Sequence, residues 1–209
     1  VMEDDKVAQV IIENKNGTEA LSARIFIDCT GDADLASMAG VQMQPDEGSL
    51  QPLSSYFILG GVNIGTPMMQ EAIRHNKQGE NCHCLPVREK LLERKEELGI
   101  PEFGGPWFCR TGQDGVVTVN MTRTAGNAID NRDFVRAECI LREDAFRMAK
   151  LLKDNFDEFK DSYLFAVSVQ GGIRETRRIK GIHTITAEEY VNAYHYSDSI
   201  ARGAHRCAP

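Results

Sequence analysis

The chain has 209 residues and a formal net charge of −7, with 42% hydrophobic and 26% charged residues. That composition describes a globular protein with room for a substantial core, and it excludes a disordered or fibrous chain. The acidic balance argues against a general nucleic-acid binder, and no apolar run approaches the roughly 20 residues needed to cross a bilayer.

The first residues, Val1-Met2-Glu3-Asp4-Asp5, carry neither the basic nor the apolar region of a signal peptide, so a cytoplasmic setting without a membrane partner is the default expectation. The six cysteines are spread through a chain too large to need stapling and are expected as free thiols. Only Cys82-His83-Cys84 has metal-ligand chemistry. A single Cys-x-Cys without a second pair does not define a zinc site, and no metal is expected.

Val7 to Glu13 and Leu21 to Asp28 read as strands joined at Asn14-Lys15-Asn16-Gly17, because Asn and Gly tolerate the positive φ of a hairpin turn. Ile25-Phe26-Ile27 is continuously apolar, as in a strand buried on both faces. Thr30-Gly31-Asp32 then turns the chain into a short helix over 32–39, with Asp32 or Asp34 as its cap and Gly40 closing it. Gly31 is the pivot, since a residue without Cβ takes angles closed to others and lets a ligand approach. An ordinary strand-to-helix connection and a ligand-facing turn both fit this stretch.

Gln44 to Ser49 reads as an exposed loop, and Ser54 to Val62 as a strand ending at a flexible pair, Gly60-Gly61. A short helix is expected over 67–75, an irregular polar stretch over 76–85, and a helix from Pro86 to about Leu98 with Leu91, Leu92 and Leu98 turned inward. Trp107-Phe108-Cys109 and Val116 to Asn120 form a hairpin about Gln113-Asp114-Gly115. Met121 to Asp130 is a loop with room for a ligand near Gly126. Phe134, Ala137, Leu141, Ala145, Met148, Leu152, Phe156 and Phe159 recur every three or four residues, the mark of one amphipathic helix packed on a sheet, with Asp130 or Asn131 as N-cap. Tyr163 to Val169 reads as a buried strand. A further strand-like segment runs through Ile185, and Thr186 with Glu189 has the spacing of a capping box.

Gly171-Gly172-Ile173-Arg174-Glu175-Thr176-Arg177-Arg178 places three arginines beside a diglycine. Guanidinium groups there offer fixed donors to a carboxylate, a phosphate or another electron-rich group. In a strand Arg174 and Thr176 face one side and Arg177 the other, so the arginines do not all converge; a surface ion-pair set around Glu175 fits equally. His75, His83, His183, His195 and His205 have no Glu partner at helical spacing, and there is no Gly-x-Ser-x-Gly elbow to support hydrolase chemistry.

Three blocks stand in the order seen in the FAD-dependent oxidoreductase family: Phe26-Ile27-Asp28-Cys29-Thr30-Gly31-Asp32-Ala33-Asp34-Leu35-Ala36, then Val117-Thr118-Val119-Asn120-Met121-Thr122-Arg123, then Gly172 to Arg178. Ser199-Ile200-Ala201-Arg202-Gly203-Ala204 resembles the family's segment leading back toward the flavin. The resemblance covers nearly the whole chain. It implies an α+β (mixed α/β) fold, a sheet with packed helices: a partial FAD-binding domain at 1–45, an inserted substrate-type domain at 46–185, and the start of the return at 186–209. It also implies FAD as cofactor, Thr30, Gly31 and Asp32 as the turn beside it, Arg174 and Arg177 as the catalytic candidates, and flavin-mediated hydride or electron transfer with a small-molecule substrate. Three features depart from the family: no Gly-x-Gly-x-x-Gly loop or ribose-binding acid precedes the first strands, the return stops at Pro209, and Cys29 stands where alanine is usual. The expectation is therefore an internal fragment of a longer enzyme that binds FAD weakly or not at all and is inactive alone. The alternatives are a non-catalytic ligand- or partner-binding domain and a small metal protein using Cys82, His83 and Cys84.

Overall fold

Asn14 pairs directly with Gly17 and so closes a two-residue turn through Lys15 and Asn16. Gly17 holds the positive φ, 106°, and Asn14 Oδ1 accepts from the Asn16 N–H at 2.7 Å. The computed structural model describes residues 1–44, 50–77, 85–100, 105–201 and 203. It divides into two compact units, Val1–Pro45 with Arg177–Pro209, and Asp46–Thr176. In the first unit β1 (Met2–Glu3) pairs antiparallel with β2 (Lys6–Val7), and β3 (Gln9–Asn14) with β4 (Gly17–Ser22).

The expected hairpin is present, but its second strand ends at Ser22 and does not continue to Asp28. Ile25-Phe26-Ile27 is not a strand, and Ile25 and Ile27 are 77% and 78% exposed. An apolar run buried on both faces needs neighbouring strands to take its backbone hydrogen bonds, and none of the described residues pairs with it. The helix that follows, α1 (Asp34–Met38), is shorter than 32–39, and Gly40 closes it in the left-handed region at φ 81°.

The second unit is built on β5 (Tyr56–Gly60). Its Phe57 and Leu59 are wholly buried, whereas Tyr56 points to the other face and is half exposed. After it come α2 (Pro67–Lys77), α3 (Leu85–Leu92), α4 (Lys95–Leu98), the hairpin of β6 (Trp107–Arg110) and β7 (Val117–Asn120), α5 (Asn131–Asn155), a 3-10 turn (Asp157–Phe159) and β8 (Tyr163–Val167). The sheet order is β6-β7-β5-β8, all antiparallel. Helix α2 packs on β6, and α5 on β5 and β8, so the helices cover one face of the sheet. The mixture of helices and antiparallel sheet is the α+β class.

The helix expected from Pro86 to Leu98 is broken at Glu93-Arg94. Arg94 there bonds Glu97 at 2.5 Å and Asn155 Oδ1 at 2.7 Å, and Leu91 and Ile100 are buried on either side of the break. The long helix is present. Asp130 caps it by accepting from the Arg132 and Asp133 N–H groups, and Ala137, Leu141, Ala145, Met148 and Leu152 form its buried stripe. It stops at Asn155, earlier than the periodic residues suggested. Phe156 is extended, and the 3-10 turn delivers Phe159 to the same core, 5.5 Å from the Phe108 ring. The strand expected to be buried at Tyr163 to Val169 is the edge strand β8, ending at Val167, with Tyr163 and Phe165 more than half exposed.

Gly60 and Gly61 are sterically required and do not form a flexible end. The Tyr163 ring lies across Gly60, and at Gly61, φ 71°, a Cβ would stand 2.6 Å from the Asp161 carbonyl oxygen. Back in the first unit α6 (Ala187–Val191) carries both halves of the expected capping box: Thr186 Oγ1 accepts from the Glu189 N–H, and Glu189 Oε2 from the Thr186 N–H. The strand-like segment expected through Ile185 is absent; the stretch is held by the single bridges Ser54 to Gly172 and Met43 to Ile179 and by separate hydrogen bonds, among them Gln44 N–H to the Arg178 carbonyl and Gln51 N–H to Glu175 Oε2. The expected alternation of Arg174 against Arg177 therefore has no ladder behind it.

The two faces of α5 make a direct check. Met148→Ala, at a wholly buried position, is expected to destabilise the protein by about 2–5 kcal/mol, and Phe146→Ser, 65% exposed on the opposite face, by less than about 0.5 kcal/mol, in urea unfolding.

Candidate functional site

Asp28 ties the glycine turn together. Its Oδ1 accepts from the Thr30 N–H at 3.0 Å and the Thr30 hydroxyl at 2.7 Å, and its Oδ2 from the Ala36 N–H at 2.9 Å. Thr30 Oγ1 in turn accepts from the Asp34 N–H at 3.0 Å. The first N–H groups of α1 are thus capped by Asp28 and Thr30, not by Asp32 or Asp34, and the N-cap position itself is Ala33, at φ 55°. These donors hold the Asp28 carboxyl below its usual range, the Thr30 N–H first, then the Ala36 N–H and the Thr30 hydroxyl.

Gly31 stands at the outer corner with φ 84°, and nothing lies within 4 Å of where its Cβ would be. The cap frees the Asp34 carboxylate, which accepts from Arg177 Nη1 at 2.6 Å; the same nitrogen donates to the Asp32 carbonyl oxygen at 3.2 Å. Thr30, Gly31, Asp32 and Arg177 therefore meet in one unit. Sequence reasoning missed Asp28 and Asp34 as the groups that hold the turn. The signal for Asp28 was its place two residues before Thr30, the spacing at which an Asp side chain bonds the backbone ahead of it.

Arg174 belongs to the other unit. There Tyr56, Asn120 and Trp107 stand opposite one another across β5, β7 and β6, on the sheet face turned away from the helices. Asn120 Nδ2 donates to the Tyr56 hydroxyl at 3.3 Å, and its Oδ1 accepts from Arg123 Nη1 at 2.9 Å. Arg123 also donates to the Thr122 carbonyl at 2.8 Å, and its guanidinium lies 5.6 Å from the centre of the Trp107 ring. Burial, and after it the charge of Arg174, hold the Arg123 guanidinium below its usual range, while Tyr56 acts the other way.

A third cluster surrounds an open hollow of about 730 Å³ in the first unit. His183, which has no Glu at helical spacing, meets Glu189 six residues on, across the capped turn: His183 Nε2 lies 3.2 Å from Glu189 Oε2 and 3.1 Å from the Tyr196 hydroxyl. The Thr186 N–H, followed by the Tyr196 hydroxyl, draws the Glu189 carboxyl down to about 2, and burial beside that carboxylate pushes Tyr196 up to about 12. Tyr196 therefore stays a phenol at neutral pH. Among the described residues no group of three His, Cys, Asp or Glu side chains is placed to hold a metal ion. Cys82, His83 and Cys84 lie outside the described residues; Cys29 and Cys139 are free thiols.

This α+β chain, with an open glycine turn braced by a distant arginine, matches the family model described as FAD dependent oxidoreductase over residues 1–207. It belongs to that family and is a flavin oxidoreductase-type chain. No curated protein and no solved structure matches it. The residues present fit one edge of such a cofactor: Gly31 leaves its backbone open to approach. They offer no phosphate seat at α1, whose leading N–H groups are already taken by Asp28 and Thr30.

The Glu189 carboxyl makes a pH prediction. Its folded pKa, about 2, lies below its ordinary 4.5, so its contribution to α6 is fully present above about 4.5 and is lost as pH falls through about 2. Amide protection at Glu189, followed by hydrogen exchange, should fall over that window, and in Glu189→Gln the fall should be absent.

Proposed function

We propose that this chain is the inner part of an FAD-dependent oxidoreductase in which flavin passes hydride or electrons to or from a small molecule. The observation that carries the reading is the Thr30-Gly31-Asp32 turn, held open at Gly31 by Asp28 from within and by Arg177, which bonds the Asp32 carbonyl from 145 residues away. In this reading the turn borders the flavin dinucleotide. FAD, when bound, supplies the redox chemistry, and the protein supplies orientation and electrostatics.

Arg177 acts here as a positioning residue, because its guanidinium is engaged by Asp34 and the Asp32 carbonyl. The Asp46–Thr176 unit supplies the substrate-type surface. That the parent protein is longer is supported by Ile25 and Ile27, whose exposed apolar side chains fit a strand with neighbours on both sides. A cytoplasmic setting agrees with this reading, and no helix among the described residues is long and apolar enough to cross a membrane.

The test is flavin retention. After incubation with FAD and extensive dialysis, residues 1–209 alone should be colourless, and the same chain extended at both ends within its parent should keep a flavin absorption band that Gly31→Val removes. Tightly held flavin in residues 1–209 alone, a colourless extended protein, or an undiminished band in Gly31→Val contradicts the reading.

A further inference from the structure

The segment entering β5 is flanked on both sides by arginine-bearing chain. On one side Leu53 bridges Thr124, and the buried Thr122 hydroxyl accepts from the Ser55 N–H at 2.8 Å and donates to the Ser55 carbonyl at 2.9 Å. On the other, Ser54 bridges Gly172, with the Gly172 N–H donating to the Ser54 carbonyl at 2.6 Å. Arg123 lies between Thr122 and Thr124, and Arg174 two residues beyond Gly172. The fold thus brings two cations to the same end of β5, near enough that the charge of Arg174 disfavours the charged form of Arg123.

Neither has a carboxylate partner among the described residues. Arg123 bonds only the neutral oxygens of Asn120 and Thr122, and Arg174 is exposed. Two neighbouring guanidinium groups with no carboxylate between them among the described residues are more stable with an anion between them. Their planar forks match a carboxylate, and a half-buried Arg123 makes the pairing stronger than at an open surface. The Tyr56 hydroxyl and the Trp107 ring border the same corner and give a bound molecule an apolar wall with one polar handle.

We infer that Arg123 and Arg174 form the carboxylate-binding corner of the substrate site, so that the small molecule taken by this chain is an organic carboxylate. The inference rests on the substrate-type reading of the Asp46–Thr176 unit but not on flavin being bound, and its test is read without flavin.

Trp107 is the chain's single tryptophan, and its fluorescence reports this corner alone. The purified chain is titrated with benzoate, with benzamide as the uncharged isostere and inorganic phosphate as the competing anion, at constant ionic strength. A saturable fluorescence change is expected with benzoate and none with benzamide. Arg174→Gln is expected to weaken benzoate by about tenfold or more, the loss of one charge-assisted pair, and Arg174→Lys to recover part of it. Arg174 is chosen because it is exposed and its side chain bonds none of the described residues; an unchanged circular dichroism spectrum confirms that the variant is folded. The proposal is overturned by an absent or non-saturable benzoate response, by an equal response to benzamide, by phosphate binding as tightly as benzoate, or by unchanged affinity in Arg174→Gln. Failure of the flavin test leaves this titration readable, and failure here leaves the flavin test as it stands.

Discussion

The ion pair between Arg177 and Asp34 is the constraint on which the candidate cofactor turn depends. It is partly exposed, at 24% and 44% of the two side chains, so it contributes about 0–1 kcal/mol and does not hold its unit together. Its importance is geometric. One guanidinium nitrogen bonds both the Asp34 carboxylate and the Asp32 carbonyl and so pins the helix start and the turn before it at once. Asp28 works from the other side, satisfying the N–H groups of Thr30 and Ala36. Between these two braces Gly31 keeps its left-handed backbone and an open face. A turn that is already shaped loses little entropy on meeting a ligand, which is what a cofactor wall requires.

The Asp46–Thr176 unit follows a different logic. Its sheet is covered on one face by α5 and α2, and that face accounts for Phe57, Leu59, Val117, Val119 and Phe108 in the core. The other face carries Tyr56, Asn120 and Trp107 in a row, with Arg123 bonded to Asn120 and in contact with the Trp107 ring. A sheet that buries one face and keeps polar and aromatic groups on the other can use that second face for recognition. The bridges at Leu53 and Ser54 then fix where Arg123 and Arg174 stand. In the reading proposed above, stability and recognition are carried by opposite faces of the same strands.

Where a pattern was local, it could be read from the sequence. The α5 stripe, the Asn14–Gly17 hairpin, the hairpin at Gln113-Asp114-Gly115 and the Thr186–Glu189 capping box depend on residues within a few positions of one another, and each is present. What failed depended on neighbours that sequence does not supply. Ile25-Phe26-Ile27 has the composition of a buried strand but no strand beside it among the described residues, and Tyr163 to Val167 has the same composition on a sheet edge. In the arginine block at 174–178 the sequence shows only that the side chains do not all converge; that the unit boundary falls between Thr176 and Arg177, so that Arg174 and Arg177 serve different units, is seen only in the folded chain. Asp34 as the partner of Arg177, and His183 as the partner of Glu189, are contacts that only the folded chain creates.

The central claim is that the glycine turn is preformed by Asp28 and Arg177 together. Hydrogen exchange at the Asp34 and Ala36 amides, compared among the unaltered protein, Asp28→Ala and Arg177→Gln, tests it most directly. The account predicts faster exchange of both amides in both variants, although Arg177 bonds neither amide itself. Unchanged protection in Arg177→Gln would show that the turn stands without its distant brace, and would contradict the account.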